Sequence, residues 1–198
     1  MEPVTLTTER LLLRPHVPSD APAVYAACQD PEIPRWTNVP SPYGMADAEE
    51  FVGRISPEGW RTDTSYNFAV IGRADGALVG SMGLIRMTPP GSPEHQAELG
   101  YWTAKEHRGK GLTAEAARAV ARWALVDLGV ERLEWLAEAG NEGSRAVAQK
   151  TGFHMEGVLR SKLLHQGTRR DAWIGSLLPS DLPEADAGAG SPYLPYPG

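Results

Sequence analysis

The densest chemistry in the chain lies between residues 98 and 115: Glu98-Leu-Gly-Tyr-Trp-Thr103, then Arg108-Gly-Lys-Gly-Leu-Thr113, then Ala114-Glu115. Two glycines two residues apart let the backbone curl so that several amide N–H groups point into one hollow. A helix starting at such a loop adds its unpaired first-turn donors and the positive end of its dipole. The product is a phosphate cradle that needs no metal; the plain alternative is a glycine turn before a surface helix. A nucleotide P-loop would need Gly, four residues, then Gly-Lys-Ser/Thr, but Lys110 is followed by Gly111 and position 104 is alanine. A dinucleotide fingerprint would need a third glycine where Ala114 stands. The pattern that fits is Arg/Gln-x-x-Gly-x-Gly/Ala, filled by Arg108 to Thr113, with Thr113 in place of the small final residue.

The elements that must hold this loop can be read from periodicity and punctuation. A first strand is expected over 11–14, a helix from Ser19 or Asp20 to about Gln29, and a proline-rich loop over 30–44. A second helix should run over 46–55 and stop at Ser56-Pro57. Runs 66–71 and 78–85 form a hairpin around Asp75-Gly76, and 96–103 is the next strand. Apolar residues at helical spacing predict a helix over 112–128, stopped by Gly129. A strand over 133–137, a helix over 141–151 and strands over 153–164 and 168–178 complete a mixed α/β domain. After Pro179, Pro, Gly, Ala and acidic residues predict a flexible tail.

Composition narrows the class. The 198 residues suffice for one well-cored domain, and 41% hydrophobic with 22% charged residues is ordinary for a soluble globular chain. No apolar run approaches a membrane span, and the first ten residues lack a basic segment followed by an apolar core, so no signal peptide is expected. The single cysteine, Cys28, excludes an internal disulfide and suits a reducing cytoplasm; within Ala26-Ala27-Cys28 it reads as a small buried side chain. A net charge of −6 argues against nucleic acid and for a cationic partner.

Three separated motifs resemble the GCN5-related N-acetyltransferases (GNAT), in the branch that holds the RimJ/RimL ribosomal-protein N-terminal acetyltransferases. They are Thr8-Glu-Arg-Leu-Leu-Leu-Arg14 with Ser19-Asp20-Ala21; Glu98 to Trp102 with Arg108-Gly-Lys-Gly111 and Glu115-Ala116; and Asn141-Glu-Gly-Ser144 with Lys150-Thr-Gly-Phe153 and Glu156-Gly157. The resemblance covers nearly the whole chain before the tail. It implies a single GNAT-type α/β domain over 1–179, with a mixed, mostly antiparallel central sheet, a splayed parallel strand pair and flanking helices, followed by a flexible tail over 180–198.

The resemblance also implies acetyl-CoA as co-substrate, held between the splayed strands 96–103 and 133–137. Tyr101, Trp102 and Thr103 would pair with the pantetheine arm. Arg108, Gly109, Lys110, Gly111, Leu112, Thr113 and Ala114 would hold the pyrophosphate, with Lys110 either assisting or simply exposed. Asn141 would contact pantetheine and Ser144 would stand near the sulfur. Relatives in other branches carry a tyrosine seven residues after the asparagine, but Ala148 occupies that place, so Ser144 is the candidate proton donor. A plain helix cap is its alternative role.

An attacking amine must be neutral, so a proton acceptor is needed. Glu98 is the candidate base if its strand face, shared with Gly100 and Trp102, looks into the acceptor cleft; a structural carboxylate paired with an arginine is the other reading. Amide N–H groups of 99–101 would stabilise the oxyanion. Trp36 and His165 are candidates for the acceptor wall, and His107 reads as solvent-facing. The expected function is N-acetyl transfer from acetyl-CoA to a primary amine, a protein N-terminus or a small molecule, by direct attack in a ternary complex. No metal, membrane or nucleic acid is expected, and a homodimer is left open. The alternatives are a catalytically silent acyl-CoA-binding module, a transferase using another acyl-CoA such as succinyl-CoA, and a nucleotide-binding protein.

Overall fold

In β2 (Leu11–Pro15) Leu11 and Leu13 are fully buried while Leu12 and Arg14 reach the edge, the period-two pattern of a strand covered on one side. The same alternation builds a nine-stranded sheet in the computed structural model, which describes residues 1–88, 92, 94–183 and 193–195. Its strands are β1 (Val4–Thr7), β2, β3 (Tyr66–Gly72), β4 (Leu78–Ile85), β5 (Gln96–Thr103), β6 (Arg132–Glu138), β7 (His154–His165), β8 (Thr168–Leu177) and β9 (Tyr193–Pro195). Their order is β7-β8-β6-β5-β4-β3-β2-β1-β9, and β5–β6 is the parallel pair in an otherwise antiparallel sheet. This is the single α/β domain that the motifs imply.

Each face of the sheet carries its own helices. On one, Met82, Leu84, Leu99, Leu133 and Trp135 join a core that includes Trp60, Phe68 and Trp123. Phe68 and Trp123 meet edge to face at 5.5 Å. Helix α5 (Leu112–Arg122) covers this face with Ala116, Ala117, Val120 and Ala121, continues through a π-helical turn (Trp123–Asp127), and ends before Gly129 at φ +71°. On the other face, Trp102 and Leu78 pack against α1 (Ala21–Cys28) and α3 (Met45–Glu50) through Val24, Cys28 and Ala48, joined by Val52 just beyond α3.

Four elements depart from the sequence-based expectation. Strand β1 pairs with β2, one strand ahead of the first that the sequence predicts, at 11–14. The proline-rich loop contains α2 (Glu32–Trp36); Pro34 lies in its first turn, where a missing N–H costs nothing because those donors have no intrahelical partner. The helix expected to stop at Ser56-Pro57 continues through a π-helical turn (Phe51–Ile55) into α4 (Ser56–Thr62). There Ser56 N–H donates to the Phe51 carbonyl, and the widened turn gives the Pro57 ring room. Finally, Tyr193–Pro195 pairs antiparallel with β1. The expected tail opens in a 3-10 turn (Pro179–Asp181), and 184–192 and 196–198 lie outside the described residues.

Candidate active site

Strands β5 and β6 pair through Gln96↔Arg132, Ala97↔Leu133 and Glu98↔Glu134 and then separate. Beyond that point β5 stays with β4 as far as Thr103↔Gly80, while β6 stays with β8 as far as Glu138↔Ala172. The β6-facing edge of 99–103 is left without a strand partner, so its amides and carbonyls need another one. A cavity of about 1260 Å³ opens at this wedge and extends from Arg108, Gly109 and Thr113 to His165. Single-ligand pockets run to about 300–1,000 Å³, so this one has room for two substrates.

The glycine loop forms one end. Gly109 and Gly111 adopt φ +74° and +76°, a backbone that side-chain-bearing residues resist. A Cβ added at Gly109 would meet nothing within 4 Å, so the space above that peptide is open. Thr113 Oγ1 lies 2.7 Å from Thr103 Oγ1 and ties the first turn of α5 to the end of β5, which gives the departure from a small residue a structural use. Arg10 donates to the Lys110 carbonyl at 3.1 Å and to the Glu115 carboxylate at 2.6 Å. Arg108 donates to the Thr103 carbonyl at 3.0 Å and pairs with Asp30 at 2.7 Å. Lys110 is exposed, Ala114 is buried, and neither they nor Gly111 and Leu112 form the cavity wall.

At the wedge itself, Asn141 caps α6 (Glu142–Thr151) by accepting the Ser144 N–H at 3.1 Å, so the cap is Asn141 and not Ser144. The Ser144 hydroxyl is free for other work. It accepts from Trp135 Nε1 at 3.0 Å and donates to the Tyr101 hydroxyl at 3.1 Å, which in turn donates to the Ser144 carbonyl at 2.9 Å. Burial pushes the Tyr101 phenol well above its ordinary pKa. Neither the Trp135 contact nor the use of the Tyr101 side chain was expected from the sequence.

Glu98 shares its strand face with Gly100 and Trp102, and Trp102 packs against the α1–α3 layer. The carboxylate is 11% exposed and accepts from Arg86 Nη1 at 2.6 Å. Burial raises its pKa, and Arg86 offsets part of that rise. Arg86 itself holds φ +47°, an uncommon backbone for a non-glycine residue, just past the end of β4. Glu98 is therefore both a cavity-lining acid and an arginine-paired one.

At the far end, Trp36 lies on the wall with Nε1 donating to Glu32 at 3.1 Å and Arg35 stacked over its ring at 4.0 Å. His165 faces Glu138 at 3.1 Å and the Pro34 carbonyl at 3.0 Å. Glu138, 8% exposed, also meets Arg35 at 3.2 Å. Sequence reasoning missed Glu138 because the expected strand stopped one residue short; period two from Glu134 was the signal that places it on this face. Cys28 is buried and its thiol is pushed up to about 12, which removes its nucleophilicity. His107 is half-buried and away from the wall. Among the described residues no group of His, Cys, Asp and Glu could hold a metal, and no helix is long and apolar enough to cross a membrane.

A family model described as an acetyltransferase (GNAT) domain matches residues 10–154. YdaF of Bacillus subtilis, provisionally named a ribosomal N-acetyltransferase, is 38% identical over 104 residues, covering 52% of this chain and 55% of YdaF. The chain thus spans about half the length of that relative. YoaA of the same organism, an uncharacterized N-acetyltransferase, is 27% identical over 178 residues, 87% of this chain and 96% of YoaA. Mycobacterium smegmatis RimJ, solved in complex with CoA-disulfide, is similar in fold at TM-score 0.78 and 22% identity, with 93% of this chain and 90% of that one covered.

Proposed function

The chain belongs to the GNAT acetyltransferase family, and we propose that it moves an acetyl group from acetyl-CoA to a primary amine by direct attack with both substrates bound, in the cytoplasm. The observation that carries this reading is the continuity of the site: the glycine loop, the unpaired edge of β5, Ser144 and Glu98 all border one cavity. Acetyl-CoA supplies an activated thioester. The first-turn amides of α5 and the glycine loop receive its pyrophosphate. The free edge of 99–103 pairs with the pantetheine arm as a sheet edge pairs with an added strand. The 99–101 amides face the developing oxyanion. Glu98 takes the proton of the amine, and Ser144, its hydroxyl turned from Tyr101, donates a hydrogen bond to the departing sulfur while Trp135 N–H supports its oxygen.

Incubation with acetyl-CoA and a panel of peptides and small amines, read by mass spectrometry and thiol release, tests the whole. An acetylated amine with one CoA freed per product is expected. CoA binding with no release from any acceptor would identify a silent acyl-CoA module instead.

Two variants address the parts. Gly109→Trp puts an indole into the open space above the loop, and acetyl-CoA affinity by calorimetry should fall tenfold or more, about 1.4 kcal/mol or more. Unchanged affinity in a folded variant would remove the loop from the donor site. Ser144→Ala should cut turnover about tenfold with acetyl-CoA affinity near wild type. It also leaves Trp135 N–H without its acceptor, for a stability loss of about 1–3 kcal/mol. A stability loss with full turnover per folded molecule would make Ser144 structural only.

A further inference from the structure

We propose that Ser81 is a positioning residue for the acceptor, presenting an oxygen that His16 forces to accept a hydrogen bond from an N–H group of the incoming amine substrate. This rests on the acetyl-transfer reading above and adds to it a specificity element on a different strand.

Cross-strand pairing puts Ser81, Gly83 and Ile85 of β4 opposite Trp102, Gly100 and Glu98 of β5, so all six share the face that looks toward α1 and α3. All six line the cavity. Gly83 and Gly100 are paired with each other and carry no side chain, which leaves a strip of bare backbone across the cavity floor. Gly83 could not gain one cheaply, since a Cβ there would lie 2.6 Å from Asn67 Oδ1 and 2.7 Å from the Tyr66 carbonyl, while one on Gly100 would press on the Ile85 Cδ1 methyl at 3.2 Å. Glu98 stands at one end of the strip and Ser81 at the other. Ser81 lies two strand steps from Gly83, about 7 Å. An amine lying over the glycine pair, between Glu98 and the 99–101 amides, can therefore reach Ser81 with a second polar group about 7 Å from its reacting nitrogen.

What Ser81 can offer follows from hydrogen-bond accounting. His16 Nε2 lies 3.0 Å from Ser81 Oγ, and the ring is enclosed, with Phe51 edge-on at 4.9 Å. His16 Nδ1 is buried without a hydrogen-bond partner, and the charge that faces it is the Asp20 carboxylate, with Oδ2 at 3.8 Å and both oxygens gripped by Arg14 through bonds of 2.7 Å. An N–H is favoured beside that anion and a lone pair is repelled by it, which assigns the hydrogen of the neutral imidazole to Nδ1 and the lone pair to Nε2. The Ser81 hydroxyl must then donate to Nε2. Its proton is spent on the protein side, and only oxygen lone pairs remain for the cavity. A donor such as an amide or ammonium N–H is stabilised there, while an ester or ether oxygen at the same place is repelled.

The test pairs two substitutions, one in the protein and one in the acceptor. The acceptors are short peptides with a free N-terminus and their depsipeptide isosteres, in which a backbone N–H of the second or third residue becomes an ester oxygen. The wild type should favour the amide over the ester by about tenfold in kcat/KM, mostly through KM. Ser81→Ala should bring that ratio to near one by raising KM for the amide, with kcat on the ester unchanged. Ser81→Cys, nearly the same size with a weak acceptor, covers the case in which alanine unfolds the protein by stranding His16 Nε2. An equal ratio in wild type and variants, with both acceptors still acetylated, overturns the role of Ser81 alone. If the wild type acetylates small amines but neither of these acceptors, this inference falls alone; if it acetylates no amine at all, the transfer reading falls and this inference with it.

Discussion

Glu98→Gln is expected to lower kcat by roughly 10²-fold or more, the usual scale for a positioned acid or base, with acetyl-CoA affinity near wild type. Glutamine keeps the size of the side chain and an oxygen for Arg86 Nη1, so the wall and its 2.6 Å contact can persist. It cannot take a proton from an ammonium. Burial raises the pKa of Glu98 and Arg86 holds the rise in check, so the carboxylate ionises at a higher pH than an exposed one. Wild-type kcat should therefore climb with pH as Glu98 ionises. The glutamine variant should lack that limb and recover part of its loss at high pH, where more of the amine arrives neutral. Arg86→Ala removes the offset, and the acid limb should move to higher pH. Initial rates from pH 6 to 9 for the three proteins decide the matter. A loss of equal size at every pH makes Glu98 a structural or acceptor-binding carboxylate, and full turnover clears it of any part in the chemistry.

Which parts of the molecule could be read from the chain follows a physical division. Long periodic segments were legible: the 112–128 helix shows because its alanines and Val120 recur on one face and Gly129 supplies a left-handed stop. The hairpin of β3 and β4 shows because Asp75-Gly76 sits between two apolar runs. What escaped was short or conditional. Four residues of β1 are too few for period two to declare itself, and α2 and the passage through Pro57 depend on where a proline falls within a turn.

The site divides in the same way. Its backbone half, the glycine loop and the strand before it, is a matter of local conformation, and residue type records that directly. Its side-chain half is made by distant pairings. Tyr101 meets Ser144 across 43 residues and His16 meets Ser81 across 65, separations that leave no local pattern. Even so, alternation placed Glu98, Gly100 and Trp102 together before any partner was known. Arg86, by contrast, comes to Glu98 through the β4–β5 register and its own positive φ.

The histidine beneath the cavity floor should make the protein acid-sensitive in a defined window. Burial lowers the pKa of His16 from 6.5 to about 4, partly opposed by the Asp20 carboxylate and reinforced by Arg14. An unfolded chain therefore binds a proton between these two values that the folded chain refuses. Stability is full above pH 6.5 and falls as pH drops toward 4, by about 3 kcal/mol if each pKa unit is worth about 1.4. The other charged groups nearby act elsewhere on the scale. Burial works against the Asp20 carboxylate, but bonds from Arg14 and the Val17 N–H outweigh it and hold its pKa below the ordinary 3.8, so its contribution is lost only at lower pH. Glu98, with its pKa raised, has the opposite sign and softens the fall. His16→Gln isolates the histidine, since its amide can still meet Ser81 but does not titrate. Urea unfolding at intervals from pH 7.5 to 4 should show the wild-type curve descending through the window and the variant descending far less. Parallel curves would mean that His16 either gains a proton inside the fold or gives way to water before it does, and the neutral imidazole that directs the Ser81 hydroxyl would go with it.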